Sequence, residues 1–452
     1  MQSIIMVAEV NLKKMMKDVG KSFHLSFSDL QQIILNFHDE MRRGLDGEPS
    51  SLMMLPAFID CPVGNEEGLF IALDLGGTNF RVLQVWLEGK GKVTVKQIGK
   101  YVIPRDVISG TGVELFDFIA QSIQQFLVNH PINRKKKITL GFTFSFPINQ
   151  IDINSGILIN WTKGFSASGV VGRDVVGMLS EALHRSKINN IDIVALANDT
   201  VGTLIAKAYD TYDCDVGVIF GTGTNACYRE STAAILKISA REKMSDYMIV
   251  NIEWGNFNCL PVNQYDRKLD KSSTNPGSQR MEKMISGMYL GELARLIIMD
   301  LIQNKAIFTQ SSVRFAPGGM TTQDISAIEN DRTSELIQVD ACLKKVGIAE
   351  ASMGERRFVQ QICRHVSRRA ARISAAAISA VVTWIDSGLN QHHTIAIDGT
   401  LYTKYPKFKQ TILKTLNTLH GDKSKRIKLA IAKDGSGVGV AIASAVAVKL
   451  SR

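Results

Sequence analysis

Phe70-Ile-Ala-Leu-Asp-Leu-Gly-Gly-Thr-Asn79 and Val216-Gly-Val-Ile-Phe-Gly-Thr-Gly-Thr-Asn225 are two copies of one pattern. Each is an apolar run closing on a glycine-rich turn that ends in Thr-Asn. A continuous apolar run of this length, stopped by glycine, reads as a buried strand. Repeated far apart in one chain, it implies two related lobes with an active site between them.

Outward from the first copy, Gly68–Gly76, Arg81–Leu87 and Lys92–Val102 read as strands. A helix over Val113–Asn129, a strand at Ile138–Phe144, a helix over Val170–His184 and a strand at Ile191–Leu196 follow. Strands alternating with helices predict an α/β fold whose sheets are covered on their faces. Upstream, residues 25–43 carry helical spacing with Ser28 as N-cap, before loops at Gly47–Ser51 and Pro62–Gly68. After the second copy come helices over Met281–Ile302, Arg356–Ile385 and Lys407–Leu419, a strand at Ile427–Ala432 and a helical stretch over Val440–Leu450. The expected division is an N-terminal helical segment (1–62) on the large lobe, a small subdomain (63–197), a large subdomain (198–437) and a last helix (438–452) returning to the small lobe.

A chain of 452 residues, 45% hydrophobic and 21% charged, has the usual globular balance and length for two or three lobes. Disorder, collagen and small disulfide scaffolds are excluded. The net charge of +10 is a mild surplus that favours anionic substrates. Its densest basic run, Arg134-Lys135-Lys136-Lys137, lacks interleaved aromatics and reads as a solvated loop, so no nucleic-acid partner is expected. Six scattered cysteines without a CxxC pair read as free thiols in a reducing compartment. Met1–Val7 is too short to span a bilayer and lacks a signal-peptide cleavage pattern. The Ala-rich stretches Ala375–Val382 and Val438–Val448 read as core helices, so a cytoplasmic protein without a transmembrane segment is expected.

Three glycine clusters carry the phosphate chemistry. In Asp74-Leu-Gly-Gly-Thr-Asn-Phe-Arg81, Gly76 and Gly77 let backbone N–H groups approach a phosphate. Asp74 there can orient a hydrated Mg²⁺ through water, and the Arg81 fork can neutralise phosphate charge. An ordinary hairpin is the competing reading; two such turns in register favour phosphate. Asp434-Gly-Ser-Gly-Val-Gly439 before a helix suits an anion, and a plain turn equally well. Asp199, in Asn198-Asp199-Thr200 at a strand end, can accept a proton from an alcohol attacking a phosphoryl group. Read alone it is more simply a helix N-cap. Ser145-Phe-Pro147, Thr162-Lys163-Gly-Phe165, Glu253 and Glu282 offer polar groups for a polyol; as bare residues they are loops and, for Glu282, an exposed helix position.

LDLGGTNFR (73–81), LGFTFSFP (140–147), NWTKGF (160–165), NDTVGT (198–203), FGTGTNACY (220–228), NIEWG (251–255), NPGSQRMEKMISGMYLGE (275–292), IDGTLY (397–402) and DGSGVG (434–439) stand in this order. The series resembles the hexokinases over residues 20 to 450. SRRAAR (367–372) and DGTLY look most like the animal branch, as a single unit.

The resemblance implies a two-lobed actin-like, ribonuclease-H-like ATPase fold with a sugar cleft between the lobes. It implies ATP-dependent phosphorylation of hexoses, glucose first, at the 6-hydroxyl, as the opening step of glycolysis. Ser145, Thr162, Lys163, Asn198, Asn225, Glu253, Gln279 and Glu282 would hold the hexose. Asp199 would be the base, and Lys163 would also offset phosphoryl charge. Asp74, Gly76, Gly77, Thr78, Asn79, Arg81, Gly223, Thr224, Asp398, Gly399, Thr400, Gly435, Ser436 and Gly437 would surround Mg-ATP, with no direct protein ligand to Mg²⁺.

Departures from the family pattern are Asn256-Phe-Asn258 after Glu253-Trp-Gly, Thr403 where a lysine is usual after DGTLY, and Val438 where a lysine usually follows DGSG. Thr403 and Val438 keep a sugar sensor with little turnover as the alternative, and a filament-forming actin-like protein is a third reading. Weak attachment to the mitochondrial surface would use an apolar Met1–Val10, which Glu9 and the Lys13-Lys14 pair disfavour.

Overall fold

The computed structural model describes residues 14–77, 79–132, 137–238, 245–309, 315–432 and 434–450. Its two main sheets repeat one topology. In the first, the strands Val93–Val102, Asn79–Glu88, Glu67–Leu75, Ile138–Phe144 and Ile191–Ala197 lie side by side in that order. In the second the order is Tyr247–Asn251, Thr224–Ser231, Cys214–Phe220, His393–Asp398 and Ile427–Ile431, with Leu55–Pro56 added at the outer edge. Each sheet is an antiparallel meander of three strands followed by two parallel ones. The two quoted runs are the central strands that begin each meander, so the sequence repeat is the structural repeat.

Both runs are buried because both faces of their sheets are covered. In Glu67–Leu75 the last six residues are buried, with no alternation, as expected where neither face meets water. The outer face of the first sheet packs against the helices Gly112–Asn129 and Val175–Arg185. The helices of the second sheet include Phe27–Asp46 and the 33-residue Met353–Ile385, whose buried Ala370, Ala371, Ala375, Ala376, Ala377 and Ala380 allow close approach. A third core lies between the sheets around the helices Asp199–Ala208 and Gly435–Leu450.

Those two helices follow the last strand of each sheet and cross over. Asp199–Ala208 packs on Cys214–Phe220 of the second sheet, and Gly435–Leu450 packs on Glu67–Leu75, Ile138–Phe144 and Ile191–Ala197 of the first. They touch at glycines: a Cβ on Gly439 would overlap the Gly202 carbonyl, and one on Gly202 would lie 2.9 Å from the Ser436 oxygen. Among the described residues no helix is long and apolar enough to cross a membrane.

Several expected boundaries move. The first described long helix is capped by Ser26, not Ser28: Ser26 and Asp29 form a reciprocal capping box. The helix expected from Val170 starts at Val175, behind the Asp174 cap. The helix expected over Met281–Ile302 is two, Arg280–Ile285 and Leu290–Gln303. Between them Gly287 N and Met288 N donate to the carbonyls of Gly221 and Thr222, docking the break onto the second glycine turn. Arg134, Lys135 and Lys136 lie outside the described residues, as do Met1–Val10.

Candidate active site

The carboxyl ends of the central strands face each other across a cavity of about 280 Å³. Asp74, Gly76, Asn79, Arg81 and Ser145 line it from the first sheet's side; Asp199, Ile219, Asp398, Gly399 and Ser436 complete it. Thr78 lies outside the described residues.

At one end a charged lattice ties the first glycine turn to the last helix. Asp74 Oδ2 accepts from Arg81 Nη2 at 2.5 Å and from Ser436 Oγ at 2.8 Å, while Arg81 Nη1 donates to Asp434 Oδ1 at 2.9 Å. A Cβ on Gly77 would meet nothing within 4 Å and one on Gly76 only Ser145, so this turn is open to the cleft. Gly399 has φ +113°, and a Cβ there would overlap the Phe220 carbonyl, so only glycine brings this turn against the strand end. Asp398 accepts from Gly399 N at 2.6 Å; burial pushes its carboxyl up. Gly435 and Gly437 serve packing, against Thr203 and Leu83. Thr400 is exposed on the first turn of the helix Thr400–Lys404.

At the other end, Lys163 Nζ donates to the Ser145 carbonyl at 2.7 Å and stands 3.8 Å from Asp199 Oδ2. Among the described residues, the buried Ser145 hydroxyl oxygen has no hydrogen-bond partner. Asn198, not Asp199, caps the helix, its Oδ1 accepting from Thr200 N at 2.9 Å. Asp199 is the first helical residue, so its carboxylate is not consumed as the cap. Asn225 Nδ2 donates to Glu253 Oε1 at 3.1 Å. Glu282, read from bare sequence as an exposed helix position, instead accepts from Thr224 N at 3.0 Å and faces Gly223, where a Cβ would lie 2.7 Å from its Oε2. The Thr224 hydroxyl is used internally, between the Ile219 carbonyl and Trp254 Nε1. Gln279 precedes the same short helix as Glu282. Thr162 adjoins Lys163, its carbonyl accepting from Phe165 N at 3.1 Å.

Three of these residues hold left-handed backbone without being glycine: Lys163 (φ +55°), Glu253 (φ +56°) and Gln279 (φ +54°). Such conformations cost on the order of 1–3 kcal/mol each and persist where surroundings over-determine them, characteristically at ligand sites. Burial raises the Glu253 carboxyl to about 7, opposed by the hydrogen bond from Asn251 and by Lys163, and reinforced by Asp199 and Glu282. Burial also raises Glu282, opposed by Thr224 N and by Lys163 and Lys283.

Two family models, both described as hexokinase, match residues 15–209 and 215–446. The chain belongs to the hexokinase family. Hexokinase-7 of Oryza sativa subsp. japonica is 43% identical over 90% of this chain and 91% of its own length. Hexokinase-1 of Spinacia oleracea is 40% identical over 95% and 90%, respectively. Hexokinase-1 of Homo sapiens is 41% identical over 95% of this chain, which spans 47% of that protein. A solved hexokinase from Schistosoma mansoni, complexed with glucose, superposes with a TM-score of 0.86 at 36% identity, covering 96% of this chain and 99% of that one. The fold is therefore the two-lobed actin-like one, and the protein is a phosphotransferase that phosphorylates hexoses with ATP.

In this hexokinase the departures from the family pattern have distinct settings. Val438 is buried in the core between the sheets. Thr403 is exposed and its hydroxyl donates to the Gly399 carbonyl at 3.1 Å. Asn256 Oδ1 accepts from Gln279 N at 3.4 Å, a long contact. Sequence reasoning passed over Asn251, which bonds both Asn225 and Glu253, and Asp434, which bonds Arg81. Asn251 had a signal: it opens the same Asn-Ile-Glu-Trp-Gly motif (251–255) that supplied Glu253.

Proposed function

We propose that the cleft binds glucose beside Mg-ATP and transfers the terminal phosphoryl group to the sugar 6-hydroxyl, with Asp199 accepting the hydroxyl proton. The observation that carries this reading is the pairing of Asp199 with Lys163 at 3.8 Å, with Asp199 lining the same cleft as Ser145 and the open glycine turn. Phosphoryl transfer asks for positioning, charge neutralisation and a poised base. Ser145, Thr162, Asn198, Asn225, Glu253, Gln279 and Glu282 hold the hydroxyls; a buried acceptor left unpaired costs about 1–3 kcal/mol, so a sugar that satisfies all of them is selected. The glucose-bound Schistosoma relative supports glucose as the sugar.

At the nucleotide end, Gly76, Gly77 and the second turn offer backbone donors, while Asp398, Gly399 and Ser436 border the phosphates. Mg²⁺ supplies charge to the transferring phosphate when bound. The Asp74 carboxylate, already accepting from Arg81 and Ser436, fits an ion held through its water and not by direct ligation. Lys163 adds positive charge where the transferred group passes. In this reading residues 63–197 form the small lobe and 198–437 the large one, with the last helix returning to the small lobe's sheet. Six unpaired cysteines support a cytoplasmic setting.

The test is ADP release from Mg-ATP by the purified protein, with and without glucose, coupled to detection of glucose 6-phosphate. Glucose-dependent ADP matched one-for-one by sugar phosphate is the expected outcome. Thermal stabilisation by glucose without turnover would mean a sensor instead, and neither response would remove the sugar assignment.

A further inference from the structure

Asn251 ends the strand Tyr247–Asn251, two residues before Glu253, whose left-handed backbone brings its carboxylate back to the strand end. There the side chains meet. Asn251 Nδ2 donates to Glu253 Oε1 at 2.9 Å, and Asn251 Oδ1 accepts from Asn225 Nδ2 at 2.8 Å. Asn225 Nδ2 reaches the same Glu253 oxygen at 3.1 Å. All three side chains are buried. One carboxylate oxygen thus takes both amide donors, and among the described residues no protein group bonds the other. Hydrogen bonds donated to a carboxylate favour its charged form, whereas burial and like charges oppose it. The charged groups acting on Glu253 are Asp199 on one helix, Glu282 on another and Lys163 on a loop. Against that background the Asn251 amide is the leading influence on the side of charge.

We infer that Asn251 is a positioning residue of the hexose site: it aims the Glu253 carboxylate and holds it in the charged form that accepts sugar hydroxyls. The inference rests on the reading of Glu253 as a hexose acceptor. Asn251 itself need not touch the sugar; it acts through Glu253.

The experiment is the pH profile of the hexose KM, with kcat and the ATP KM measured alongside, for the parent, Asn251→Leu and Glu253→Gln. In the parent, the hexose KM rises as pH falls through about 7, where Glu253 takes up its proton. Asn251→Leu, close in size but without the donor, moves that rise to higher pH and raises the hexose KM at pH 7 about tenfold. Its kcat at saturating hexose and its ATP KM stay near the parent's. A merely structural role would lower the melting temperature and leave the midpoint of the profile where it was, which overturns the inference. Glu253→Gln separates the two readings: a weakened, pH-flat hexose KM upholds Glu253 as acceptor, and an unchanged KM removes Glu253 from the site together with any role for Asn251 there. If Asn251→Leu does not fold, Asn251→Asp carries the same test; it removes the donor, adds a like charge and shifts the midpoint further upward, and an unshifted midpoint overturns the inference.

Discussion

Asp199 begins a helix whose amino end is already capped by Asn198, and that division of labour leaves the Asp199 carboxylate free of the cap. Sequence reading left capping and catalysis competing for Asp199; the backbone geometry assigns the cap to its neighbour. We expect Asp199→Ala to lower kcat by about 10²–10⁴-fold, the usual contribution of a positioned base. Hexose should still raise the melting temperature of the variant, because Asn198, Asn225, Glu253 and Glu282 are untouched. Steady-state kinetics and hexose-dependent melting check both halves, and near-parental turnover would show that another group takes the proton. The same residue scale explains why Lys163, Glu253 and Gln279 were legible as types but not as conformations. Their left-handed backbones are imposed by the turns around them, and nothing in the side chains announces it.

Between elements, the crossing of Asp199–Ala208 with Gly435–Leu450 depends on glycine having no Cβ. A Cβ on Gly202 would lie within 3.3 Å of backbone atoms of Gly435 and Ser436, and one on Gly439 would overlap the Gly202 carbonyl. Gly202→Ala should therefore destabilise the fold by about 1–3 kcal/mol, the cost of overpacking a close contact. Because Ser436 lines the cleft, the displacement should also raise the KM for ATP more than that for hexose. Melting curves and the two KM values measure this; an unchanged melting temperature would mean that the helices slide apart without cost. The apolar pattern of these helices was readable, yet their partners were not. Equally, the apolar run over Met281–Ile302 concealed a break, because helical periodicity does not register a tertiary contact such as Gly287 with Gly221.

Across the whole molecule, the end of the large sheet away from the cleft is pinned by a buried histidine. His393 Nδ1 lies 2.6 Å from Asp215 Oδ2, and Nε2 lies 3.5 Å from Asp386 Oδ2, joining two strands to the segment after the longest helix. The hydrogen bond with Asp215 raises the His393 imidazole above its ordinary value, against burial and with the charges of both aspartates. A histidine raised in the folded state contributes stability that is fully present below its unfolded value of about 6.5 and is lost as pH rises through its folded value. The melting temperature of the parent should thus fall, relative to His393→Asn, as pH is raised from about 6 upward. A difference between the two proteins that stays constant with pH would show that folding does not raise the His393 imidazole above its unfolded value.

The sequence alone determined the repeat, the α/β alternation and the kinds of residue gathered for phosphate and polyol chemistry. Those are encoded locally, in apolar runs, glycine turns and short motifs such as Asn198-Asp199-Thr200. Only the tertiary structure decided which distant residues meet: Asn251 with Asn225, Asp434 with Arg81, Glu282 with the second glycine turn, and each lobe's closing helix with the other lobe's sheet. The reason is physical. A strand or turn is specified by neighbours a few residues away, whereas burial, donor pairing and close backbone approach are set by segments hundreds of positions distant, as between Arg81 and Asp434.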